Sequence, residues 1–198
     1  MRRSVPLLLI LVPLLLVLAA CGGSDESGGP STVPNSAAPE QPVTLTGVAT
    51  TLDLDPQTIG VLDDNNITIT PLPPARRSAE GVRFPVVGGR LRPDTFSGRI
   101  VHSGGLVISD GRRRVVLRDF VIETRTGQLT ADAGTGRLPI LNLDFSSGKR
   151  RDVGATVALG DVPVTLTAAA ASAVDTALSI SVLTASIPVG LATVRVAG

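Results

Sequence analysis

The chain has 198 residues, 18 Lys plus Arg against 17 Asp plus Glu, one His, one Cys, four Phe and neither Trp nor Tyr. One His and one Cys are too few for two-histidine zinc centres, a HExxH peptidase or an internal disulfide, and so few rings exclude a dense aromatic recognition surface. The near-balanced charge excludes a global attraction to nucleic acid.

At the N-terminus, Arg2 and Arg3 precede an uninterrupted apolar run, Val5 to Leu18, that carries Pro6 and Pro13. At helical rise this run spans about 21 Å, short of a hydrocarbon core of about 30 Å. It predicts a secretory signal over residues 1–20 and not a permanent membrane-spanning helix. The four residues Leu18-Ala19-Ala20-Cys21 resemble the lipobox of bacterial lipoproteins. That resemblance implies a diacylglyceryl group on the Cys21 thiol, palmitate-type acylation, and cleavage that leaves Cys21 as the first mature residue. Two or more acyl chains hold a protein stably where one is marginal. The expected location is extracytoplasmic, anchored to the cell membrane through Cys21, whose thiol is then unavailable for redox or metal chemistry. Loss of Arg2 and Arg3 with the leader leaves a formal charge of −1.

Residues 21–42 are mostly Gly, Ser, Pro, Asn and acidic residues after Cys21, with almost no apolar content, a composition that buries too little surface to offset ordering entropy. They are read as a flexible tether, and residues 43–198 as a single β-rich domain. Turn chemistry recurs through that domain at Gly88-Gly89, Gly104-Gly105, Asp110-Gly111, Thr126-Gly127, Gly134-Thr135-Gly136, Ser147-Gly148 and Gly160-Asp161. Between these points apolar residues alternate: Leu52 and Leu54; Val82, Phe84 and Val86; Leu141, Leu143 and Phe145; Val162, Val164 and Leu166. From Val115 to Ile122 the parity switches between Leu117 and Phe120, which predicts a bulge near Arg118-Asp119. Two short helices are expected. Asp55 caps one that begins at Pro56 and sets Ile59 and Leu62 on one side; Thr167 caps Ala168 to Leu178, where Val174 and Leu178 stack. The predicted fold is an all-β antiparallel β-sandwich with one or two short helices.

Candidate chemistry is sparse. There is no G-x-S-x-G elbow and no Gly-rich phosphate loop. A serine-type triad would have to unite His102 with Ser103 or Ser109 and Asp110 or Asp119. Asp53, Asp55, Asp63, Asp64, Asn65 and Asn66 supply oxygen ligands without the spacing of a calcium loop; a helix cap and a solvated turn account for them more simply. Three basic clusters, Arg76-Arg77, Arg112-Arg113-Arg114 and Lys149-Arg150-Arg151, have the chemistry to grip phosphate-bearing envelope polymers or headgroups. The latter two are placed at hairpin turns, where solvated charge is the plainer reading.

The segment Phe96-Ser-Gly-Arg-Ile-Val-His102-Ser-Gly104-Gly-Leu106-Val-Ile108, with Val116-Leu-Arg-Asp-Phe-Val-Ile-Glu and Gly127-Gln-Leu-Thr-Ala131, resembles the middle of HtaA-type domains, over about a fifth of the chain. The resemblance implies a β-rich cell-surface module of a kind in which several members bind haem through a Tyr supported by a His. The His carries over to His102. The Tyr has no counterpart in a chain without tyrosine, so fold carries over further than function. His102 also shares strand parity with Ile100, which turns it toward an apolar interior, where a backbone carbonyl would satisfy it.

The expected function is a noncatalytic, lipid-anchored envelope protein whose β module binds a ligand, an envelope polymer or a protein partner. No cofactor and no nucleic-acid partner are expected. The alternatives are haem binding through His102 and a structural envelope role without a small ligand.

Overall fold

The structure, a computed structural model, describes residues 41–198; the predicted signal, Cys21 and nearly all of the tether lie outside the described residues. Eight strands form a closed antiparallel ring: β2 (Gly47–Leu54), β5 (Gly81–Arg92), β6 (Ser97–His102), β8 (Arg114–Glu123), β9 (Gln128–Asp132), β10 (Arg137–Leu143), β12 (Thr156–Leu166) and β13 (Pro188–Ala197). Closure comes from β6, which pairs with β5 on one side and β8 on the other. From β5 the ring continues through β2, β13, β12, β10 and β9 back to β8.

Five further strands extend it. β1 (Val43–Thr44) and β4 (Arg76–Ser78) pair with β5, β11 (Lys149–Val153) pairs with β12, and β3 (Thr68–Leu72) pairs with β7 (Gly105–Ser109), itself joined to the first half of β8. The expected antiparallel all-β architecture is therefore present, and its layers come from one sheet that curves back on itself.

Alternation decides which face is inside. Val82, Phe84 and Val86 on β5, Ile100 and His102 on β6, Val162 and Val164 on β12, and Ala192, Val194 and Val196 on β13 are all buried. The rings of Phe84 and Phe120 meet edge to face at 5.1 Å. On β8 the parity switch is resolved as expected: the register slips between Arg118 and Val121, and Asp119 sits at φ +50°. That bulge lets Leu117, Phe120 and Ile122 all reach the core, and it marks the point where β8 changes partner from β7 to β6.

Two expected turns are bulges instead. Gly88-Gly89 lies inside the twelve-residue β5, where register shifts between Val86 and Gly88, and Gly160-Asp161 lies inside β12, where it shifts between Leu159 and Val162. Local sequence does not separate the two, because a bulge uses the same positive-φ chemistry as a turn and adds the bend that a closed sheet requires. Gly89, at φ +124°, would bring an added Cβ to 2.1 Å from the Arg99 carbonyl oxygen. Phe145 likewise leaves strand alternation for a 3-10 turn over Phe145–Ser147.

Both helices form where capping chemistry places them. The Asp55 carboxylate accepts from the Gln57 N–H at the head of α1 (Pro56–Asp64). Thr167 Oγ1 accepts from the Ala170 N–H at the head of α2 (Ala168–Leu178). α2 lies against β8 and β10, and its Val174 and Leu178 form a second buried cluster with Ile67. None of α1 is buried.

Candidate functional site

His102 ends β6 inside the barrel at 3% exposure, as its parity with Ile100 predicts. β6 stops there because the chain turns a corner at Gly104, whose φ of +88° and 2.5 Å approach of an added Cβ to the Ala75 nitrogen admit only glycine. Beyond the corner, Leu106 and Ile108 rejoin the same apolar interior.

The ring's two nitrogens are both engaged. Nδ1 lies 3.3 Å from the Phe120 carbonyl oxygen and Nε2 lies 2.8 Å from Thr50 Oγ1. A carbonyl only accepts, so Nδ1 carries the proton and donates to Phe120; Nε2 then accepts from the Thr50 hydroxyl. Burial pushes the imidazole pKa down from 6.5 to about 4, against a smaller opposing effect of the Phe120 carbonyl. His102 is thus a neutral, satisfied core residue at physiological pH.

Thr50 carries no signal of this role in the sequence. It stands opposite Phe84 on β5, and His102 stands opposite Val86 on the far side of the same strand. The contact bridges two strands that share β5 as neighbour, a relation set only by tertiary register.

The Thr50–His102 pair borders an interior space of about 150 Å³. Its wall includes inward residues of every ring strand, both helices and the segment before β13, among them Leu52, Phe84, Leu117, Leu141, Val174 and Ile187. Thr58 is the remaining polar side chain in the wall, and its hydroxyl donates to the Pro188 carbonyl. With these groups satisfied, the wall presents carbon, and a space of this kind stays dry. Sealed and empty, a cavity of this volume costs on the order of 3–4 kcal/mol, by the scale of about 24 cal/mol per Å³ for residual cavities.

The remaining sequence candidates fall outside this interior. His102 bonds neither to a serine nor to a carboxylate, so the triad candidates are not assembled: Ser109 Oγ donates to the Arg113 carbonyl, and Asp110 accepts from the Arg112 and Arg113 amides of the β7–β8 turn. These amides hold the Asp110 carboxyl below the usual carboxylate range. Among the described residues, no three His, Cys, Asp or Glu side chains are placed to hold a metal ion. Asp55 is a helix cap and Asn65 closes the other end of α1.

Of the basic clusters, Arg76-Arg77 lies on β4 and Arg112-Arg113-Arg114 lies at the β7–β8 turn as expected, where Arg113 Nη1 donates to the Leu178 carbonyl at the C-terminus of α2. Lys149-Arg150-Arg151 does not sit at a hairpin tip. It runs along β11, because the turn falls later, at residues 154–155; Lys149 pairs with Asp161 at 3.0 Å and Arg150 with Asp152 at 2.9 Å.

Fold and interior define a class of module, a closed antiparallel barrel around an apolar chamber. Among solved structures the chain is similar to the crystal structure of the C-terminal domain of HtaA from Corynebacterium glutamicum, with a TM-score of 0.58 and 15% identity, over 78% of this chain and 98% of that one. At that identity the likeness is one of fold. No family model and no curated protein matches the chain.

Haem, which the sequence resemblance raises, does not fit this interior. The only His engages both ring nitrogens with protein partners. The space matches a benzene-sized guest, several times smaller than a tetrapyrrole, and its wall has nothing to receive charged propionates.

Proposed function

We propose that this protein is a noncatalytic envelope module, anchored through lipid on Cys21, that binds an apolar molecule inside its barrel. The observation that carries the reading is the carbon-lined chamber. Interiors are close-packed, so a carbon-lined space of this size fits a site reserved for a guest. The HtaA-like fold supports a surface module, and the Leu18 to Cys21 motif supports the anchor.

Benzene, a guest of matching size, should raise the melting temperature of the protein and bind once per chain. Ala173→Leu, which places a larger side chain in the wall from α2, should raise the melting temperature by itself and remove the benzene effect. If neither benzene nor a straight-chain alcohol has any effect while Ala173→Leu still stabilises, the space is a packing defect and the reading fails. Cys21→Ala should abolish partitioning of the exported protein into detergent; an unmodified wild-type Cys21, seen by mass, would remove the anchor.

A further inference from the structure

We infer that the guest of this chamber is an unbranched alkyl chain, an inference that rests on the apolar-ligand reading above. A rounded space of about 150 Å³ would be bounded by about the 6–12 residues that surround one core side chain. This one touches inward residues on all eight ring strands, on α1 and α2, and at Leu183 and Ile187. A space whose wall is spread over so many elements extends through the barrel interior. A flexible aliphatic chain can follow such a space through the interior.

The wall's chemistry agrees. Thr50 and His102 satisfy each other and Phe120, and Thr58 is tied to Pro188. A hydroxyl, amide or carboxylate drawn inside would lose its water and gain no partner, so the polar end of the guest stays outside while its hydrocarbon end fills the chamber. The cover is lightest at α1: no residue of that helix is buried, yet Thr58 and Leu62 belong to the wall. A free fatty acid and an acyl chain of a membrane lipid share this chemistry.

The test uses the mature-length chain, residues 21–198, carrying Cys21→Ala so that no attached lipid competes. Titrating straight-chain alcohols of increasing length should show affinity rising about fourfold per methylene, from about 0.8 kcal/mol each, and levelling off once roughly six carbons are inside. Highly branched isomers of equal carbon number should bind at least tenfold more weakly. Ala173→Leu and, independently, Ala133→Val should level the series off earlier, which keeps the test usable if one variant misfolds. Capture of a free fatty acid, or removal of a fluorescent-acyl phospholipid from phosphatidylcholine vesicles, would each support an alkyl guest and would tell the two sources apart. Benzene binding without any length dependence in the alcohol series would overturn the alkyl assignment and leave the apolar reading standing. If neither benzene nor any alcohol binds, both fall.

Discussion

His102 is the only titratable side chain in the buried core of the described residues, and its stability contribution follows from its displaced pKa. In the unfolded chain the imidazole titrates near 6.5; in the folded interior burial holds it near 4. Between those values the unfolded chain binds the extra proton. The contribution is therefore complete above about pH 6.5 and is lost as pH falls toward and through 4, at most about 1.4 kcal/mol per pH unit and about 3 kcal/mol in all. Denaturant melts between pH 7.5 and 4.5 should show this slope in the wild type and a flatter one in His102→Gln; equal slopes would mean the ring is not buried neutral. Thr50→Val keeps shape but leaves Nε2 with no donor, and should cost about 1–3 kcal/mol in the same assay at pH 7.5. The inward direction of His102 was legible from its parity with Ile100, whereas Thr50 as its partner was not, since a hydroxyl on an inward strand position has no preferred partner until strands are ordered.

Among the elements, α2 shows how much one cap carries. Thr167 Oγ1 accepts from Ala170 and donates to the Pro139 carbonyl at 2.6 Å, so one hydroxyl starts the helix and ties it to β10. Thr167→Val should cost about 1–2 kcal/mol and loosen the α2 cover of the chamber; hydrogen exchange at Ala170 and Ala171 should speed up more than exchange in β5. Both helix starts were legible because capping is local: the cap side chain bonds an amide two or three residues on. The β8 bulge was legible for a similar reason, since a strand can bury apolar residues of both parities on one face only by inserting an extra residue between them. The glycine pairs in β5 and β12 were not, because φ above zero serves a turn and a bulge equally.

At the scale of the molecule, most core residues lie on one ring that closes between β6 and its neighbours β5 and β8. A chain trimmed to residues 42–198 should therefore fold unaided, with a far-ultraviolet circular dichroism spectrum dominated by β signal and a single cooperative melt. A helix-dominated spectrum would contradict the ring. What the sequence by itself determined are properties that local pattern encodes: antiparallel strands with one apolar face, two capped helices and an inward His. Only the tertiary structure decided that one sheet closes into a barrel, that Thr50 meets His102 across β5, and that the inward faces leave an apolar chamber between them. Alternation tells each strand which face to bury. The volume enclosed depends on how eight such faces are ordered and bent around one another, and no single segment carries that information.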